Sequence, residues 1–226
     1  MSVNKANMKL FHFESLDKSH PNYDKNRRRI IIDAVERNNN SALVIVHPGY
    51  CREVIKNRIK YTYWPPIIYN TIKENVGDHQ AYFKKLTNLT ASTEIPMFIF
   101  CEQHKVEILE RWVKSLSTKA PAVLVETYNF SPRPLQGWAH FIETTQKLDI
   151  KHFSTIGEMM LRVNNEDEGC VPAFYNNLCA HFKVDLYSEY TFPNRSFEIL
   201  TYEIQRGDNI GAKLNPVTSR YDFLDD

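Results

Sequence analysis

The sequence predicts an α/β fold: a three-layer sandwich with a mostly parallel five- or six-stranded sheet and helices on both faces. Three observations lead there. Five short strand-like runs recur along the chain, the first three largely apolar: "SALVIVH" (41–47), "IPMFIFCE" (95–102), "APAVLVE" (120–126), "IKHFSTIGE" (150–158) and "KVDLYSE" (183–189). Such runs are what strands buried on both faces look like, because helices cover each side of the sheet. The stretches between them carry helical spacing of apolar residues. Strand and helix then alternate five times over, the pattern of a parallel sheet.

Each helix has its own signature. In "NYDKNRRRIIIDAVERNNN", Asn22 after Pro21 is a candidate cap, and Ile30, Ile31, Ala34 and Val35 follow at helical spacing. The basic run "KNRRR" (25–29) reads as a solvated first turn of that helix. Between residues 50 and 92 the pattern is mixed: one helix before Pro65-Pro66 and one or two after. "HKVEILERWVKSLS" sets Val106, Leu109, Val113 and Leu116 on one side. "PLQGWAHFIETTQKLD" aligns Leu135, Trp138, Ile142, Thr145 and Leu148. "VPAFYNNLCAHF" is a helix with Pro172 in its first turn, where a missing N–H costs little.

With 226 residues, 42% of them apolar, the chain can bury a full core. It is expected to form a single α/β domain over 1–226, with a core of about 22–193, an N-terminal arm (1–21) and a C-terminal extension (194–226). The 28 Lys+Arg balance 27 Asp+Glu, so nothing pulls the protein toward nucleic acid or an anionic membrane. The four cysteines show no CxxC or finger spacing, which fits free thiols in a reducing compartment. "MSVNKANMKLFHF" lacks the apolar run of a secretory signal, and no stretch approaches the ~20 apolar residues of a membrane span. A cytoplasmic protein is expected, with a homodimer favoured because symmetric pairs are common.

In parallel sheets ligands gather at the carboxyl ends of the strands. That rule yields a short list. The first strand ends at His47, the second at Glu102, the third at Glu126, with Tyr128, Asn129 and Arg133 in the loop beyond. The fourth ends at Gly157-Glu158, and its loop runs to Gly169 and Cys170. Catalytic roles are expected for Cys170, His47, Glu126 and Glu158, and substrate contacts for Glu102, Tyr128, Asn129, Arg133, Gly157 and Gly169. A small-molecule ligand is the expected partner. No cofactor is predicted, although the carboxylates with His47 can also hold a hard divalent cation.

Cys170 stands where a loop becomes a helix. The partial positive charge at a helix start favours a thiolate and can lower its pKa from about 8.5. The backbone N–H groups of the same turn can cradle an oxyanion. The bland alternative is a small buried residue, and "NNEDE" just upstream is acidic and opposes thiolate formation. Gly-rich phosphate loops, HExxH and GxSxG are absent from the sequence.

The order of elements resembles that of the isochorismatase-like cysteine hydrolases, over roughly residues 41–190. "ALVIVH" and "IPMFIF" resemble that family's first two strands. "VLVETYNFSPRPLQGWAHFIETTQKLDIKHFSTIGE" is similar to its third strand, helix and fourth strand. "GCVPAFYNNLCAHFKVDLYSE" resembles the segment bearing the nucleophile, with Cys-Val at a helix start. The resemblance implies a hydrolase or transferase in which Cys170 attacks a carbonyl. The family's aspartate is His47 here, its lysine is replaced by Glu126-Thr127, and "MMLRVNNEDE" is longer, so only Cys170 matches the triad. Two other classes stay open: a metal-dependent enzyme using strand-end carboxylates, and a non-catalytic binding module, for which "YTYWPP" (61–66) supplies an aromatic–proline surface.

Overall fold

The computed structural model describes residues 10–48, 76–116, 118–128, 131–132, 137–158, 170–192, 212–215 and 220–223. Each of the five runs forms a strand: β2 (Ser41–Val46), β3 (Met97–Glu102), β4 (Ala122–Tyr128), β6 (His152–Glu158) and β7 (Lys183–Phe192). A sixth, β1 (Leu10–His12), comes from the segment expected as an arm. The order across the sheet is β1-β4-β3-β2-β6-β7, and all five neighbouring pairs run parallel. The two residues of β5 (Ser131–Pro132) add an antiparallel pairing to the end of β4. Within the C-terminal extension, β8 (Ala212–Asn215) and β9 (Arg220–Phe223) form a separate antiparallel pair.

The helices are α1 (Lys25–Arg37), α2 (Val76–Ser92), α3 (Val106–Ser115), α4 (Gly137–Gln146) and α5 (Cys170–Cys179). One sheet face carries Val44, Val46, Phe98, Phe100 and Phe153. Phe100 meets Trp138 of α4 and Phe174 of α5 at ring distances of 6.2 and 4.4 Å. Phe98 meets Phe141 at 5.9 Å and Phe13 at 6.5 Å, so the N-terminal segment covers this face too. The other face carries Leu43, Ile45, Ile99 and Leu124. Here α3 docks, tied by Glu110 to His12 of β1 at 3.0 Å, and α2 leans on it through Phe83 and Trp112 at 5.4 Å. Each fully buried Phe or Ile contributes roughly 1.5–3 kcal/mol of apolar transfer.

Two local expectations change. The α1 cap is Asp24, not Asn22: its carboxylate accepts from the N–H groups of Asn26 and Arg27. The basic run is not wholly solvated, because Arg28 is buried and donates to the carbonyls of Leu16 (2.6 Å) and Lys147 (2.7 Å). That guanidinium ties the short 3₁₀ turn Phe13–Leu16 to the end of α4. Asp17 strengthens the same corner. Burial opposes its charge, but hydrogen bonds from Ser19 and the charges of His140 and His20 outweigh that and hold its carboxyl below the ordinary value. His140 Nε2 lies 3.0 Å from Asp17, within ion-pair distance though out of line for a hydrogen bond.

Candidate functional site

Taken in sequence order, the five predicted strands lie as third, second, first, fourth, fifth across the sheet. The order reverses between β2 and β6, and a crevice at the carboxyl ends of such a pair is where open α/β sheets place ligands. His47 follows β2 at this point. Its N–H still bonds to Phe100 O at 3.0 Å, but its φ is +45°. A regular strand would send its side chain to the face of Leu43 and Ile45. The left-handed backbone instead places the ring against Thr127 and Phe174, both on the phenylalanine-rich side. Nε2 is 3.3 Å from Thr127 Oγ1, and the ring meets Phe174 edge-on at 5.8 Å.

The His47 ring is buried. That burial, followed by the positive charge of Lys105, pushes its pKa down to about 3. A ring held neutral so firmly is a poor proton acceptor. Taking the proton of an ordinary thiol, whose pKa is about 8.5, would be strongly uphill. The expected role of His47 as the base for Cys170 therefore loses its physical support. A neutral imidazole that gives or accepts a hydrogen bond fits better.

Lys105, in the 3₁₀ turn Gln103–Lys105 after β3, is the group sequence reasoning missed. Its side chain is 4% exposed and its Nζ lies 3.7 Å from Glu102 Oε2. The only available signal was a lysine three residues past a strand end, which reads as the start of a solvated helix. Its charge reaches His47 and also Cys101.

Glu102 and Glu126 leave β3 and β4 on opposite faces of the sheet. Cys101 pairs in register with Glu126, and Glu102 with Thr127. Side chains alternate along a strand, so Glu126 shares the face of Cys101, whereas Glu102 shares that of Thr127. Burial, then the negative charge of Glu126, pushes the Cys101 thiol up to about 12, against the pull of Lys105. Glu126 is thus separated from His47 by the sheet itself. Among the described residues, which leave out the Glu158 side chain, no group of three His, Cys, Asp or Glu side chains could hold a metal.

Gly157 pairs with Val46 across the switch point and has φ +146°. A Cβ built there would sit 2.4 Å from Val46 O. Its glycine character is accounted for by close strand approach, independently of any ligand. Glu158 and Tyr128 end β6 and β4 as expected, but their side chains lie outside the described set, as do Asn129, Arg133 and Gly169 entirely and the "YTYWPP" segment. Cys170 is the first residue of α5, one helical turn before Phe174, whose ring packs on His47. Its backbone therefore starts the helix above this corner, as the sequence implied.

No protein-family model, curated protein or solved structure matches the chain. Among the described residues no helix is long and apolar enough to cross a membrane.

Proposed function

We propose that the chain is a small-molecule enzyme, a hydrolase or transferase similar to the isochorismatase-like proteins, working at the carboxyl edge of β2, β3 and β4. The observation that carries this reading is His47: a non-glycine residue at φ +45°, turned into a buried polar group at the topological switch point. Left-handed backbone at a histidine costs on the order of 1–2 kcal/mol, and such strain concentrates at functional sites. In this reading Cys170 is the nucleophile. Its thiolate is favoured by the start of α5 rather than by a base. Neutral His47, held by Thr127, gives or accepts a hydrogen bond to the substrate. Lys105, beside Glu102, sets its positive charge against His47 and Cys101 at this end of the sheet.

The test is hydrolysis of a panel of small esters and amides by the full chain, read beside the alkylation rate of Cys170 near pH 7. Expected is a Cys170 that alkylates faster than a free cysteine, with Cys170→Ser abolishing amide turnover and Lys105→Met slowing both readouts. A Cys170 that reacts no faster than a free thiol overturns the proposal. The non-catalytic reading would then stand, favoured by the full burial of the His47 ring against Phe174.

A further inference from the structure

A second constellation lies at the opposite, amino edge of the sheet. Ser41 opens β2, His152 opens β6 and Asp185 is the third residue of β7. Ser41 and His152 are register partners, as are Ser154 and Asp185, so Ser41, His152 and Asp185 share one sheet face. Ser41 Oγ is 3.4 Å from His152 Nδ1, and His152 Nε2 is 3.0 Å from Asp185 Oδ2. The histidine and aspartate side chains are 24% and 18% exposed, so the group is partly shielded but open to a small molecule. An ionised Asp185 only accepts, which fixes the proton on Nε2 and leaves Nδ1 as the acceptor facing Ser41.

Two further features surround this row. Asn39 and Asn40, immediately before Ser41, are both left-handed at φ +53° and +58°, so the serine stands directly after a tight turn. Lys183 is the register partner of His152 on its other side, so its side chain leaves β7 on the same face.

We propose that Ser41, His152 and Asp185 form a nucleophile–base–orienter relay that cleaves small acyl esters. Ser41 Oγ bonds to the acyl carbon while its proton passes to His152 Nδ1. The C–O bond to the leaving alcohol breaks, and the Nδ1 proton goes to that oxygen. Water then attacks the Ser41 ester, giving one proton back through Nδ1 to Oγ and releasing the carboxylic acid. Asp185 is a positioning residue: it holds the tautomer and ring orientation through Nε2 and steadies the transient imidazolium, the logic shared by triads on unrelated folds.

The test uses the full chain with a fluorophosphonate probe and peptide mapping, beside hydrolysis of p-nitrophenyl acetate and butyrate. Expected is probe attachment at Ser41, lost in Ser41→Ala with unchanged circular dichroism. His152→Gln should slow labelling and turnover on the order of 100-fold, the scale of a general base. Asp185→Asn should slow both, while Asp185→Glu recovers part of the loss, which a merely structural role would not produce. Cys170→Ser should leave labelling of Ser41 unchanged, so this site and the carboxyl-edge site fail or succeed separately. Absence of label on Ser41 in the folded chain, or label that His152→Gln does not slow, overturns the relay.

Discussion

The neutral, buried His47 makes a quantitative prediction about acid. In the unfolded chain its ring titrates near the ordinary value of 6.5, whereas in the fold burial and then Lys105 hold it to about 3. Between those values the unfolded state binds a proton that the folded state refuses, so stability falls as pH drops through this window. Full stability from this source is present above pH 6.5, and the loss is complete only near pH 3. The slope is about 1.36 kcal/mol per pH unit, so on the order of 3 kcal/mol is gone by about pH 4.5. Substituting His47→Asn removes the titration while keeping a residue type that tolerates φ +45°. Urea unfolding of both proteins, followed by tryptophan fluorescence from about pH 7 to 4.5, isolates the effect. Other titrating groups, Asp17 among them, are present in both chains and cancel. The stability advantage of wild type over His47→Asn should shrink by on the order of 3 kcal/mol across that range. Two curves that stay parallel within about 0.5 kcal/mol would mean that the ring is hydrated or protonated in the native state, and the account of the switch-point corner would fail with it.

Gly157→Ala places a methyl 2.4 Å from Val46 O at a backbone angle that side chains avoid. The combined strain and overpacking should cost about 3–5 kcal/mol and lower Tm by about 10 °C in a thermal melt. Arg28→Met keeps the aliphatic stem but leaves the carbonyls of Leu16 and Lys147 without their charged donor, and urea denaturation should show a loss of about 3 kcal/mol. In a native-state thiol titration with a disulfide reagent, exposed Cys179 should react while buried Cys101, with its thiol pushed up to about 12, stays silent until denaturant is added.

The strands were legible because burial on both faces removes ambiguity: "SALVIV" and "MFIFC" contain almost nothing but apolar residues, so length and the flanking breakers set their limits. The helices were legible for the opposite reason, since Leu109 and Val113 mark a face. What the sequence hid was reach. Asn22 and Asp24 are both good caps, and only the backbone at residue 24 decides between them. Arg28 sits in a run of four basic residues out of five, and nothing local distinguishes the one whose stem points inward from neighbours paired to Asp24 and Asp33. The sixth strand was missed because "LFH" is three residues long and pairs with β4, whose sequence lies more than a hundred residues away.

The candidate site was legible along one axis and illegible across another. Strand-end logic places residues at a rim, because the chain must leave the core there. It does not fix a face, and a difference of one residue carries a side chain through the sheet. Glu126 and Thr127 illustrate this: adjacent in sequence, they lie on opposite sides, and it is the threonine that meets His47. His47 itself breaks the alternation that would have assigned it, since its positive φ turns the ring to the side that β2 parity denies it. The amino-edge row was harder still to foresee. Ser41, His152 and Asp185 sit on three separate strands, and their meeting depends on the placement of β6 beside β2 and β7 beside β6. Once that order is fixed, register does the rest. Two parallel pairings with defined partners bring a hydroxyl, an imidazole and a carboxylate into a line that no spacing in the sequence encodes.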